Sequence, residues 1–255
     1  IYEKQFINFA KVERYDPVDE EGAMLIIADA EFIDPMQAFI DWKIQKGIPT
    51  EIVDVANIGN EDAVKTYIQN YYQENDLTYV LFVGDHQHIP AYSMSAGYSD
   101  NYYAYLAGDD SYPEIFVGRF SVEDKSQVAI MVDRVLNYEQ TPPANGAYGI
   151  GVGVGSDQGP GDDGEFDYQH LRNIREQLVG YTYNTVHELY DGSQGGEDAD
   201  GSPNANDLHQ IIESGLGLIN YTGHGSTMAC SSSGYNVSNV NTLTNTEVHP
   251  YFFSV

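Results

Sequence analysis

The chain of 255 residues sets 39 Asp+Glu against 11 Lys+Arg, a formal net charge of -28 at pH 7, which repels nucleic acid and anionic membrane and excludes any function that needs a basic patch. With 42% hydrophobic residues it can bury the core of one large α/β unit or two smaller ones, yet no stretch approaches the roughly 18 consecutive apolar residues that span a bilayer. A single cysteine, Cys230, excludes an internal disulfide framework.

A carboxylate excess of this size suits high-salt surroundings or an extracellular protein that carries divalent cations. The chain starts at Ile1 rather than Met and shows no signal-peptide pattern, as expected of a processed chain from which a secretion signal could be removed. Residues 1–22 are polar and read as a lead-in segment. Ala23 to Ala28 is then a short buried strand, Pro35 to Lys46 has helical spacing and stops at Gly47, and Thr50 to Val55 is a second strand. Glu61 to Glu74 is an amphipathic helix, and Tyr79 to Val83 is a buried strand closing on Gly84-Asp85-His86. Strand alternating with helix predicts a largely parallel sheet.

Pro90 to Pro113 reads as a long polar loop. It is followed by a strand at 115–120 and a helix from about Glu123 to Tyr138, with Ser121 as the expected cap and Asp124 three residues on. The Pro- and Gly-rich stretch Thr141 to Gly146 is the candidate domain boundary. Beyond it the alternation restarts, with a Gly/Val strand at 149–155, a helix from about Phe166 to Val179, a strand at about 183–189, a helix at about Asn206 to Ser214, and the apolar run Leu216 to Tyr221. Tyr251 to Val255 reads as a further buried strand. No repeat is legible between the two halves.

The run at Leu216 to Tyr221 breaks at Thr222-Gly223-His224-Gly225, the pattern of a buried parallel strand ending in a tight turn. His224 is thereby expected at the carboxyl edge of the sheet, where open α/β folds keep their chemistry. The loop Ser156 to Asp167 follows another strand and reaches the same edge. A carboxylate in it could orient His224 or floor a pocket for a basic side chain; capping the next helix is the plainer role. Two acidic loops could hold a hard cation, Gly108 to Glu114 with Asp85 close by, and Asp191 to Asp207 with its Glu197-Asp198-Ala199-Asp200-Gly201 core. No helix start or cationic cluster argues for an activated thiolate at Cys230, so it is expected to be structural.

These pieces together resemble the gingipain family of secreted bacterial cysteine peptidases, whose fold is caspase-like. The resemblance runs from about Arg14 to the end and rests on Arg14-Tyr15-Asp16-Pro17-Val18, Phe39 to Lys43, Asp76 to His86 with Ile89-Pro90, Gly108 to Phe120, Gly164 to His170, and Asn220 to Ser226. It implies two successive caspase-like α/β subdomains with mostly parallel sheets and flanking helices, at 15–144 and 145–255, the second incomplete. Residues 1–14 would be a remnant of a pro-segment removed at Arg14–Tyr15.

The resemblance further implies that His224 assists a cysteine nucleophile, that the Gly225 amide serves the oxyanion hole, and that Asp167 is the base of an S1 pocket for a basic residue. It implies Ca2+ held by Asp85, Asp110 and Glu114 with the carbonyls of Ala107 and Tyr112, and a second calcium near Glu165 and His170. A gap-free match puts Ser156 where the family's acid stands; Asp157 serves there after a shift of one residue. The family's nucleophilic cysteine follows the strand that Tyr251 to Val255 resembles, so the thiol is expected on a continuation of the chain or on a second chain. The expected function is thus part of an extracellular or cell-surface cysteine endopeptidase, a hydrolase acting on polypeptides and inactive as this chain alone. The alternatives are a processing or sorting peptidase of the same family, or a non-catalytic calcium-binding surface module of the same fold.

Overall fold

Strand β1 (Ala23–Ala28) is buried at every position, because the sheet it lies in is covered on both faces. Met24, Ile26 and Ala28 face one helical layer and Leu25 and Ile27 the other. The computed structural model describes residues 22–94, 97–108, 110, 112–161 and 164–255, in two compact units that divide between Gln140 and Thr141. The lead-in segment 1–14, the junction Arg14–Tyr15, and Asp109, Ser111, Asp162 and Asp163 lie outside the described residues. Among the described residues no helix is long and apolar enough to cross a membrane.

The first unit is built on β1, β2 (Thr50–Asp54), β3 (Leu77–Val83) and β6 (Phe116–Phe120), all parallel in the order β2-β1-β3-β6. Helices α1 (Gln37–Lys46) and α3 (Lys125–Gln140) cover one face through Phe39, Ile40, Val128 and Val132, and α2 (Glu61–Glu74) covers the other through Val64 and Ile68. Pro35 belongs to a 3-10 turn, Asp34–Met36, and the α-helix starts at Gln37. The cap of α3 is also corrected: Asp124 accepts from the amides of Ser126 (2.7 Å) and Gln127 (3.0 Å), while the Ser121 hydroxyl donates to Asp85.

Glu139 ties α3 to α1. It accepts from Trp42 Nε1 and Lys43 Nζ at 2.7 Å each, and from Lys46 Nζ at 3.3 Å. Burial alone would raise the Glu139 pKa, but these donors and the two lysine charges hold it below the usual carboxylate range.

The segment expected as a polar loop is more than that. It holds an antiparallel hairpin, β4 (Tyr92–Met94) with β5 (Gly97–Ser99), and a short turn at Asn101–Ala104. That turn inserts Tyr103 fully into the core, where its hydroxyl donates to the Pro90 carbonyl at 2.7 Å. The buried Lys65 ammonium donates to the carbonyls of Tyr102 and Tyr105, and burial lowers its pKa. Tyrosine density in the sequence signals surface, yet here one ring closes the face that α2 leaves open.

The second unit repeats the winding. Its strands β7 (Ile150–Gly155), β8 (Thr185–Tyr190), β9 (Leu218–Thr222) and β10 (Tyr251–Ser254) are all parallel in the order β10-β9-β7-β8. In both units the second strand lies on one side of the first, the third lies on the other side, and the fourth lies beyond the third. Helices α4 (Asp167–Tyr181) and α5 (Ala205–Ser214) connect the first three strands; among the described residues β10 lies at the edge of the sheet, so the segment that reads as a buried strand is exposed at every residue.

β7 alternates Gly with Val, and the glycines share one face. A Cβ at Gly155 would stand 2.7 Å from Leu171 Cδ1 and 3.4 Å from the Tyr168 Cα, so the first turn of α4 lies against bare strand backbone. Gly155→Val is therefore expected to destabilise by about 1–3 kcal/mol through overpacking. Gly180→Ala, in the last turn of α4 where a Cβ meets nothing within 4 Å, should stabilise by up to about 1 kcal/mol. Urea melts of the two variants check both signs.

Candidate active site

The crevice between β7 and β9 is the place where the strand order of the second unit reverses, the point at which open parallel sheets bind ligands. Ser156 leaves β7 there with its amide on the Thr222 carbonyl at 3.0 Å. From β9 the chain turns through Gly223, whose φ of +153° lies where a side chain is poorly tolerated. Space argues the same way: a Cβ on Gly223 would come within 3.0 Å of Ser232 Oγ and 3.3 Å of Ser156 Cβ. The turn therefore crosses directly over both serines.

His224 is exposed, and its main chain is fixed from beneath. The Tyr221 hydroxyl donates to its carbonyl, as does the Ser231 amide at 2.9 Å, and the Ser232 amide in turn donates to the Tyr221 hydroxyl at 3.3 Å. Gly225 faces Cys230 in an isolated antiparallel bridge. The hydrogen bonds flanking it are Ser231 to His224 and Ser226 to Ala229, so Gly225 sits in the non-hydrogen-bonded position and its own amide points away from the partner segment. An imidazole at the rim and an outward amide on the next residue are the two groups that acyl transfer draws on beside a nucleophile.

Asp167 is the first residue of α4, and its carboxylate accepts a short hydrogen bond from Ser156 Oγ. The same hydroxyl oxygen accepts from the Gln158 amide at 3.2 Å, and the Asp167 amide donates to the Gln158 carbonyl at 2.9 Å. Ser156 and Asp167 thus close the loop between them. Asp157 is exposed on that loop.

A carboxylate that the sequence offers only as the first residue of the second acidic loop lies at the neighbouring strand end. Asp191 follows β8, and burial raises its pKa; a hydrogen bond from Ser232 works the other way, and the Asp157 charge adds to the rise. Asp191 and Ser232 lie 41 residues apart in sequence, with only the place directly after a strand to mark the aspartate.

The remaining candidates divide by what holds them. The Cys230 thiol is half-buried beside the core, and burial raises its pKa, the opposite of an activated nucleophile. In the second acidic loop Asp198 accepts from the amides of Tyr190 and Gln194 at 3.0 Å each, and Glu197 pairs with Arg175, so these carboxylates hold the loop itself. Glu165 and His170 meet at 3.1 Å, with Asn173 on the other Glu165 oxygen.

In the first unit Asp85 accepts from the His86 amide (2.7 Å) and Ser121 Oγ, and Asp110 accepts from the Tyr112 amide (2.9 Å). Glu114 accepts from the amides of Leu106 and Ala107, and those amides lower its pKa. Among the described residues the three carboxylates do not come together at ligand spacing.

A model of peptidase family C25 matches residues 18–255. The chain belongs to peptidase family C25. Gingipain R2 of Porphyromonas gingivalis is 34% identical over 265 residues, covering all of this chain and 35% of the relative. Lys-gingipain of the same species is 24% identical over 270 residues, covering all of this chain and 15% of the relative. The crystal structure of the Arg-specific cysteine proteinase gingipain R superposes with a TM-score of 0.86 at 33% identity, over 94% of this chain and 56% of that one. The chain spans about a third of the length of gingipain R2. Its α/β architecture of helix-flanked parallel sheets is that of the gingipains.

Because the Asp191 pKa is raised on folding, its ionisation opposes the folded state above that pKa. Asp191→Asn should therefore raise the melting temperature at neutral pH, and the gain should shrink as pH falls toward about 4, where an unfolded aspartate titrates. Thermal melts across that range check it; a gain independent of pH would contradict it.

Proposed function

We propose that these residues form the N-terminal part of the catalytic region of a secreted or cell-surface cysteine endopeptidase that cleaves polypeptides after basic residues. The observation that carries this reading is one of adjacency. The turn bearing His224 and the outward Gly225 amide crosses Ser156, and Ser156 is bonded to Asp167. The relatives are named as Arg- and Lys-gingipains, and a carboxylate one hydrogen bond from the histidine turn suits a guanidinium or ammonium.

In this reading His224 takes the proton of an attacking thiol and later returns one to the leaving amine, and the Gly225 amide stabilises the oxyanion. The acyl-enzyme is then hydrolysed by water. The thiol comes from polypeptide outside these 255 residues, since Cys230 is held half-buried with a raised pKa. Asp157, exposed beside the crevice, is the candidate partner of the imidazole. A non-catalytic surface module is the second reading, favoured by Ser156 standing bonded where the family's acid would be.

In the full-length protein, Asp167→Asn should lower kcat/KM for arginyl substrates by roughly 10^2–10^3-fold, the loss of one partner of a desolvated charge pair. His224→Ala should lower it by about 10^2–10^4-fold, with Cys230→Ala near wild type. An inactive wild-type full-length protein would move the assignment to the non-catalytic module.

Calcium belongs to the same proposal. Asp85, Asp110 and Glu114 with the carbonyls of Ala107 and Tyr112 offer oxygen alone, the chemistry a hard cation takes, and an ion would have to draw the three carboxylates together. Glu165 with the His170 imidazole suits it less. A bound ion would neutralise the carboxylates and brace the loop after β3. Chelation should lower the melting temperature, by an amount equivalent to about 2.7 kcal/mol when free Ca2+ had stood at 100 times its Kd. Asp85→Asn together with Glu114→Gln should abolish the calcium response, and a melting temperature unmoved by chelator would reject the site.

A further inference from the structure

The first unit has its own reversal of strand order, between β1 and β3, and the function proposed above makes no use of it. Asp29 follows β1 directly, its amide on the Val83 carbonyl at the end of β3. His88 lies in the turn after β3. Among the described residues Asp29, Glu31 and His88 are the one group of three His, Cys, Asp or Glu side chains whose ligand atoms all lie within 4.8 Å of one another.

Each of the two central ligands is held by something else. Asp29 Oδ1 accepts from the Glu31 amide at 3.1 Å, which aims Oδ2 at His88. The His88 amide donates to the Asp85 carbonyl at 2.8 Å, and its ring packs on Phe32 with centroids 4.8 Å apart. Gly84, at φ +133°, makes room for it, since a Cβ there would stand 2.7 Å from His88 Cβ. Supports of this kind are what orient metal ligands.

The spacing between ligands points the same way. His88 Nδ1 and Asp29 Oδ2 are 3.3 Å apart, long for a charge-assisted hydrogen bond of about 2.7–2.9 Å. Two ligands each about 2.0 Å from a tetrahedral zinc ion are separated by about 3.3 Å. The exposed Glu31 carboxylate supplies a third donor at the rim, and a water molecule would complete a tetrahedral set.

We propose that this crevice is a divalent transition-metal site, with zinc as its natural occupant and His88, Asp29 and Glu31 as ligands. Imidazole with carboxylates favours zinc over calcium, which takes oxygen alone. The ion would clasp the turn after β1 to the turn after β3, at the carboxyl edge of the first unit's own sheet.

The test uses the chain stripped of metal and then held in excess Ca2+, so that oxygen-only sites are filled, and titrated with Co2+ by visible absorption and with Zn2+ by calorimetry. One equivalent of Co2+ should bind with the ligand-field bands of a four-coordinate site, and Zn2+ should displace it. His88→Gln should weaken binding about 100-fold or more, while His170→Gln and Cys230→Ser leave it unchanged. Should His88→Gln fail to fold, as judged by far-ultraviolet circular dichroism, Asp29→Asn gives the same reading, because asparagine keeps the capping acceptor and loses the charged ligand. Absence of the cobalt band in the wild-type chain, or its persistence in both Asp29→Asn and a folded His88→Gln, would overturn the site.

Discussion

The bare glycine face of β7 is the constraint on which the second unit depends. Gly153 and Gly155 leave no side chain between the strand and α4, so Leu171 and the ring of Tyr190 fill that space and the Tyr168 backbone comes within contact distance. Only at that spacing does the first residue of α4, Asp167, reach the hydroxyl of the residue that follows Gly155. A strand with side chains on that face would push the helix outward by the thickness of a side-chain layer. The carboxylate would then be lost from the crevice, although no residue of the site itself had changed.

The two units solve one topological problem twice. In each, a first strand is flanked by the second and third, and the crevice between first and third opens at their carboxyl ends. One crevice holds Ser156, Gly223 and the histidine turn; the other holds Asp29, Gly84 and His88. A glycine with positive φ follows the third strand in both, with a side chain packed where its Cβ would be. The backbone solution is shared and the chemistry set into it differs, although no internal repeat can be read from the sequence.

What the sequence made legible follows from range. β1 and α2 begin and end where the apolar run Ala23 to Ala28 and the periodic stretch Glu61 to Glu74 do, because those signals are local. The α3 cap is not decided locally: Ser121 and Asp124 are both good caps, and the choice rests on Ser121 turning to Asp85 at the neighbouring strand end. The interior of the loop after β3 is not legible locally, because Tyr103 reads as polar surface until the Pro90 carbonyl and the apolar side of α2 surround it. At the edges of both sheets the unseen pairs, Asp29 with His88 and Asp191 with Ser232, come from different crossovers of the chain. Hydrophobic periodicity carries the crossovers but not which strand ends they bring together.

β10 closes the described sheet with every residue exposed, and its pairing with β9 continues past the strand: Val255 donates to the Tyr221 carbonyl at 3.0 Å and accepts from the Gly223 amide at 3.2 Å. The edge strand and the histidine turn therefore share hydrogen bonds, and fraying of the one removes an anchor of the other. In the language of linkage, the docking of β10 on β9 and the position of the histidine turn are coupled: whatever stabilises the docked strand also narrows, through Gly223, the range of positions open to His224 without touching the imidazole.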